Sequence, residues 1–146
     1  MVKEFKFEGK RAAAHTLATL TARAVPRLKP DVLVVHIPTA TAHVRERGYD
    51  QALLLARAFA KERQLLHATL LSRTKQLTQH GAGRQDRLRN IQGAYTLCNP
   101  ELIPGAHILL VDDVVTTGAT LAEAARVLLQ AGAKSVSAAV FAQTIL

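Results

Sequence analysis

"VDDVVTTGAT", Val111 to Thr120, is the stretch on which the fold turns. It ends an apolar run, "AHILLVDD" (106–113), with the length and composition of a central β-strand. Beyond it Leu121, Ala124, Ala125, Leu128 and Leu129 recur at helical spacing, and Gly132 stops the helix they predict. A helix opening at Gly118 presents unpaired N–H groups and about half a positive charge, a seat for phosphate. Thr116, Thr117 and Thr120 add hydroxyl donors, and Gly118 lets the backbone approach closely. Asp112 and Asp113 cannot bind phosphate directly, but they can accept hydrogen bonds from sugar hydroxyls or hold Mg2+ through water. A ribose 5-phosphate satisfies both demands at once.

The totals bound the rest. A chain of 146 residues with 49% apolar residues suits one domain with one core. No run approaches the roughly 18 apolar residues of a membrane span, and "MVKEFKFEGK" has no signal-peptide core, so a cytoplasmic setting is expected. Cys98 is the single cysteine, which excludes an internal disulfide and a cysteine zinc site. The six histidines include no pair at metal-ligand helical spacing. The net charge of +8 is uneven: residues 1–92 carry +10 and residues 93–146 carry −2. Such a basic half suits phosphate-rich partners or plain solvation, while four Phe, two Tyr and no Trp leave little for base stacking.

Reading outward, Lys10 to Leu28 predicts a helix halted near Pro26, with Ala14, Leu17, Ala18 and Ala24 on its apolar face. "DVLVVHIP" (31–38) predicts a strand covered on both faces, followed by a polar, basic turn from Thr39 to Tyr49. Asp50 is placed to cap a helix running to Gln64, whose face is Leu53, Leu54, Ala56 and Ala60. "ATLLSR" (68–73) is a weaker strand, Thr74 to Asn90 a long polar loop, "GAYTL" (93–97) extended, and "SVSAAVFAQTI" (135–145) a last strand. Alternating strands and helices imply an α/β domain with a mainly parallel sheet, whose ligands bind beyond the strands' carboxyl ends.

Val111–Thr120 resembles the 5-phosphoribosyl-1-pyrophosphate (PRPP) motif of the type I phosphoribosyltransferases: a strand, two acids, then a Thr/Gly-rich turn into a helix. A receiver domain also pairs acids after a strand, but near its start, whereas 33 residues follow Asp113. A Walker A motif is absent, and "GAGRQD" (81–86) matches a dinucleotide fingerprint only in part. Two further elements resemble the ComF-like, competence-associated branch. Arg45, Arg47, Gly48, Tyr49, Asp50 and Gln51 fit its RxRG[FY][ND]Q element, and Arg87, Asn90, Gly93, Ala94 and Tyr95 fit RxxN-x-x-G[AS][FY]. "KFEGK" (6–10) is similar to its opening element.

The resemblance implies a single type I phosphoribosyltransferase domain over residues 1–146, a mainly parallel sheet flanked by helices. It assigns the ribose hydroxyls to Asp112 and Asp113, and the 5-phosphate to Val115, Thr116, Thr117, Gly118, Ala119 and Thr120. Pyrophosphate falls to the turn after the first strand, with Thr39 and Ala40, reinforced by Arg45 and Arg47. Arg84, Arg87 and Arg89 lie where relatives carry a flexible loop; they meet phosphate there or form a solvated basic turn. Mg2+ is the implied cofactor, with no direct protein ligand. The partners are PRPP and an unidentified acceptor, with single-stranded DNA and a second copy of the chain as further candidates. ComF-like proteins commonly carry a cysteine-rich zinc ribbon ahead of this domain, and the expectation here is a domain without it. Purine-salvage relatives place an acidic base where this chain has Thr116. Acceptor choice comes from a hood outside the core, toward which only Met1 to Leu28 is left to contribute. A transferase and a binding protein for PRPP or single-stranded DNA both remain open.

Overall fold

The computed structural model describes residues 2–74 and 93–143, and side-chain burial for 9–74 and 93–142. Helix α1 (Val2–Ala24) precedes β1 (Val32–His36), α2 (Thr41–Arg47), α3 (Gln51–Glu62), β2 (Leu66–His67) and β3 (Leu71–Arg73). After residue 92 come β4 (Tyr95–Leu97), β5 (His107–Val115), α4 (Ala119–Gln130) and β6 (Ser135–Gln143). Four strands form a parallel sheet in the order β2-β1-β5-β6, as the alternation of elements implies. β3 and β4 pair antiparallel in a separate two-stranded sheet, with Ser72 opposite Thr96 and Arg73 opposite Tyr95.

Burial follows the pleat. Val35 and Ile37 of the β1 segment and Ile108 and Leu110 of β5 face α4 and the β3–β4 pair, meeting Ala124, Leu128, Leu71 and Tyr95. Their neighbours Val34, Leu109 and Val111 face the other way, onto Leu55, Ala56 and Phe59 of α3 and Ala14, Ala18 and Ala22 of α1. The alanines recur every four residues, so α1 presents a smooth stripe on which α3 packs closely. Phe59 is the largest side chain sealed there, and truncating such a residue to Ala costs about 3–5 kcal/mol. Arg63, just past α3, donates to the carbonyls of Ala22, Val25 and Pro26, satisfying acceptors that the end of α1 leaves open.

Several sequence expectations need correction. Helix α1 begins at Val2, not Lys10, and Leu17 and Ala24 are exposed; a stripe of small residues has little hydrophobic contrast to read. The polar segment 39–49 is largely helical, ending where Gly48 adopts φ 80°. Strand β5 runs to Val115, so Asp112 and Asp113 lie inside its last turn of pleat and not at its tip. The two-residue β2, too short for any periodicity, joins the main sheet, while the predicted strand at 68–73 pairs elsewhere.

Candidate PRPP site

In this sheet the chain steps from β1 outward to β2 and later returns to the other side of β1 as β5. The reversal falls between β1 and β5, where five residue pairs hold the strands in register and Ile37 N–H donates to Val111 O at 3.0 Å. Two connections leave the sheet there: residues 37–40 after β1, and residues 116–118 between β5 and α4. This is the crevice where parallel α/β sheets take ligands.

Asp112 is 9% exposed. Its carboxyl is pushed up to about 7, first by burial and then by the side chain and charge of Asp113, with Asp50 adding to it and the Asp113 backbone N–H opposing it. Its Oδ1 accepts Asp113 N–H at 2.9 Å, and Asp113 Oδ1 accepts Val114 N–H at 2.9 Å. Each carboxylate is thereby held against the backbone that follows it. Asp113 is half-buried, so the two acids meet different environments. The β5–β6 ladder pairs Asp112 with Val140 and resumes at Val114 with Ala142.

Gly118 caps α4 in the left-handed conformation, φ 77°, and has no side chain to occupy the first-turn N–H groups. Ala119 N–H reaches Thr117 Oγ1 at 3.4 Å, and the helix's first internal bond is Ala122 N–H to Gly118 O at 2.9 Å. Thr116 and Thr117 are exposed, while Val115, Gly118, Ala119 and Thr120 are half-buried. Acids, hydroxyls and an uncapped helix mouth therefore occur on one continuous connection.

Across the crevice, Asp50 does more than cap α3. Its Oδ1 accepts Leu53 N–H at 3.2 Å and Thr39 Oγ1–H at 2.8 Å, and its Oδ2 accepts Thr39 N–H at 3.0 Å. Thr39 thus gives both donors to the protein itself, and Ala40 begins α2 without a side-chain cap. Arg45 and Arg47 are exposed in the last turn of α2, with Arg47 Nη1 3.4 Å from Gln51 Oε1. Arg84, Arg87, Arg89 and Asn90 lie outside the described residues.

Four residues near these connections carry no site role in the sequence reading. His36, buried at the end of β1, has Nδ1 3.3 Å from Nε2 of His67 at the end of β2. Burial lowers both rings, His67 to about 4, which keeps the pair neutral. A histidine inside "VLVVHIP" was the available signal. Glu123 is buried on α4, where Arg126 and the Gly93 N–H donate to it and hold it below the usual carboxylate range despite burial. Tyr95 is buried between the two sheets, and nothing in its sequence context marks its hydroxyl. Among the described residues, no group of three or more His, Cys, Asp or Glu could hold a metal ion, and no helix is long and apolar enough to cross a membrane.

Parallel sheet, switch-point crevice and strand–acid–turn–helix connection together define the type I phosphoribosyltransferase fold, and a model described as "Phosphoribosyl transferase domain" matches residues 15–144: the chain belongs to that family. It is similar to "Competence protein F" of Haemophilus influenzae, 31% identical over 93% of this chain, and to "DNA utilization protein YhgH" of Escherichia coli K12, 32% identical over 93%. The family membership is therefore of the ComF-like kind. The chain spans 63% of the length of each of these relatives. The solved structure of the allosteric regulatory enzyme of purine biosynthesis shares the fold at TM-score 0.64 and 16% identity, over 90% of this chain and 26% of that one.

Proposed function

We propose that the crevice binds PRPP with Mg2+ and transfers its 5-phosphoribosyl group to an acceptor, releasing pyrophosphate. The observation that carries this reading is the single connection on which two carboxylates precede an uncapped helix mouth at the switch point. Asp112 and Asp113 accept from the ribose 2- and 3-hydroxyls, and the N–H and O–H groups of 115–120 receive the 5-phosphate. Adjacent carboxylates near a strand's end suit a hard cation that keeps most of its waters and leans on substrate phosphates. When bound, Mg2+ would offset charge on the departing pyrophosphate.

In the transfer, the acceptor's lone pair forms a bond to the anomeric carbon as that carbon's bond to pyrophosphate oxygen breaks. The chain's contribution is placement: the diol and phosphate fix the ribose ring, so that attack is oriented. Ala40, the α2 end of the crevice, Arg45 and Arg47 supply the pyrophosphate side, Arg by bidentate contact. Thr39 serves by shaping this turn through Asp50. No acid stands at Thr116 to take a proton from a purine nitrogen, so the acceptor brings its own basicity or another base. The cytoplasm is the expected setting.

Titration calorimetry with Mg·PRPP tests the assignment. Asp112→Asn and Asp113→Asn should each weaken binding, since a hydrogen bond to a charged group contributes about 1.5–3 kcal/mol. Unchanged affinity removes the ribose role. A panel of purine, pyrimidine and amine acceptors should raise pyrophosphate release above hydrolysis.

A second reading is favoured by the relatives' names and by the +10 charge of residues 1–92: a protein that binds PRPP or single-stranded DNA without turnover. PRPP binding with silence across the acceptor panel supports it. Affinity for single-stranded DNA that falls steeply with salt would add the DNA contact.

A further inference from the structure

Tyr95 opens β4 and packs with Ile37, Leu110 and Ala124 in the core face beneath α4. It is 5% exposed, and its hydroxyl has no hydrogen-bond partner, the one buried side-chain polar atom so placed among the described residues. A phenylalanine would fill the same space without a stranded donor. Since buried polar groups are nearly always paired, the lone hydroxyl calls for a partner that arrives later.

The charged groups facing it come from three elements. Arg73 of β3 lies over the ring, 5.9 Å from its centroid, while Asp112 of β5 and Glu123 of α4 bring negative charge. Burial first, and these carboxylates after it, push the phenol up to about 12 against the opposing effect of Arg73, so it stays a donor. Glu123 is already committed, with Oε1 accepting from Gly93 and Arg126 and Oε2 from Arg126. Asp112, two residues beyond Leu110 on the same strand face, accepts the Asp113 N–H on its Oδ1 and interacts with the Asp113 side chain. Asp112 is close enough to Tyr95 to act on its phenol electrostatically, and a carboxylate's roughly four lone-pair sites leave it room to accept more.

We propose that Tyr95 is a positioning residue of the PRPP site, its buried O–H donating to Asp112, directly or through one buried water, when ligand draws that carboxylate into place. Asp112 is then fixed from behind while it accepts from the ribose. The hydroxyl is an unmet cost in the empty protein and a contributor in the occupied one. This inference rests on the PRPP reading above.

The test is Tyr95→Phe in the full chain, with thermal melting of the ligand-free protein and calorimetry with Mg·PRPP. The expected result has opposite signs: melting unchanged or raised, and Kd for Mg·PRPP about tenfold higher. In an Asp112→Asn background, Tyr95→Phe should add little further loss, because the tyrosine acts through the aspartate. Equal affinity of wild type and Tyr95→Phe overturns the inference alone, as does full additivity with Asp112→Asn. A variant that melts lower and binds more weakly marks the hydroxyl as structural and also overturns it. Failure of the wild type to bind Mg·PRPP removes the functional reading and this inference together.

Discussion

Asp50 grips Thr39 with both carboxylate oxygens, 2.8 Å to the hydroxyl and 3.0 Å to the backbone nitrogen, while also capping α3 through Leu53. One side chain thereby ties the turn after β1 to a helix that the core holds rigidly. The turn facing the α4 mouth is preorganised by an acid eleven residues along the chain, which is why Asp50 matters beyond its helix.

Asp50→Ala should lower stability by about 1–3 kcal/mol, combining a lost cap with two orphaned donors. Asn retains one acceptor oxygen, so Asp50→Asn should fall between. Urea denaturation measures both, and equal stability of Asp50→Ala and wild type would contradict the clamp.

The His36–His67 pair makes stability depend on acid. Both rings titrate lower in the folded chain than in the unfolded one, so the unfolded state binds protons first as pH falls. The pair's contribution should be full above about 6.5 and decline toward about 4, the folded value for His67, while Asp112, raised to about 7, takes its proton first in the folded state and opposes that decline. His67→Gln should flatten that slope, read as urea midpoints at several pH values across the window.

Gly118 carries φ 77° with nothing within 4 Å of a Cβ placed there, so a side chain would meet backbone strain and not a neighbour. Gly118→Ala is expected to cost about 1–2 kcal/mol. Gly118→Asn should cost less, because Asn tolerates the left-handed region. Thermal melting distinguishes the two, and identical losses would point to a clash instead.

Arg63 closes the carboxyl end of α1 with bonds to three carbonyls. Arg63→Ala should lose about 1.5–3 kcal/mol, and Lys should recover only part, lacking the planar fork. Urea denaturation again reports it, and full recovery by Lys would show that charge alone suffices.

Much of this was legible because it is local. The alternation of apolar runs marked the parallel sheet, and the spacing of Ala124 and Leu128 marked α4. Asp50 as a cap could be read from the apolar face that follows it. What escaped was set by contacts between distant segments. Glu123 reads as a surface partner of Arg126 until Gly93 comes against it, thirty residues away in sequence. The pairing of β3 with β4, and of His36 with His67, joins residues whose own neighbourhoods carry no pattern of partnership. The end of β5 was misjudged because Asp112 and Asp113 look like a terminus, yet β6 pairs beyond them.

Strand β6 contains no charged residue in its nine and lies at the margin of the sheet, shielding β5 from solvent on that side. Because a whole helix separates the two strands, β5 must wait during refolding with its ladder of peptide groups and "ILLV" open to any passing chain. Recovery of native protein from denaturant should therefore fall as its concentration rises, with light scattering growing in step. Dilution is the condition under which α4 can bring β6 home before a stranger takes its berth.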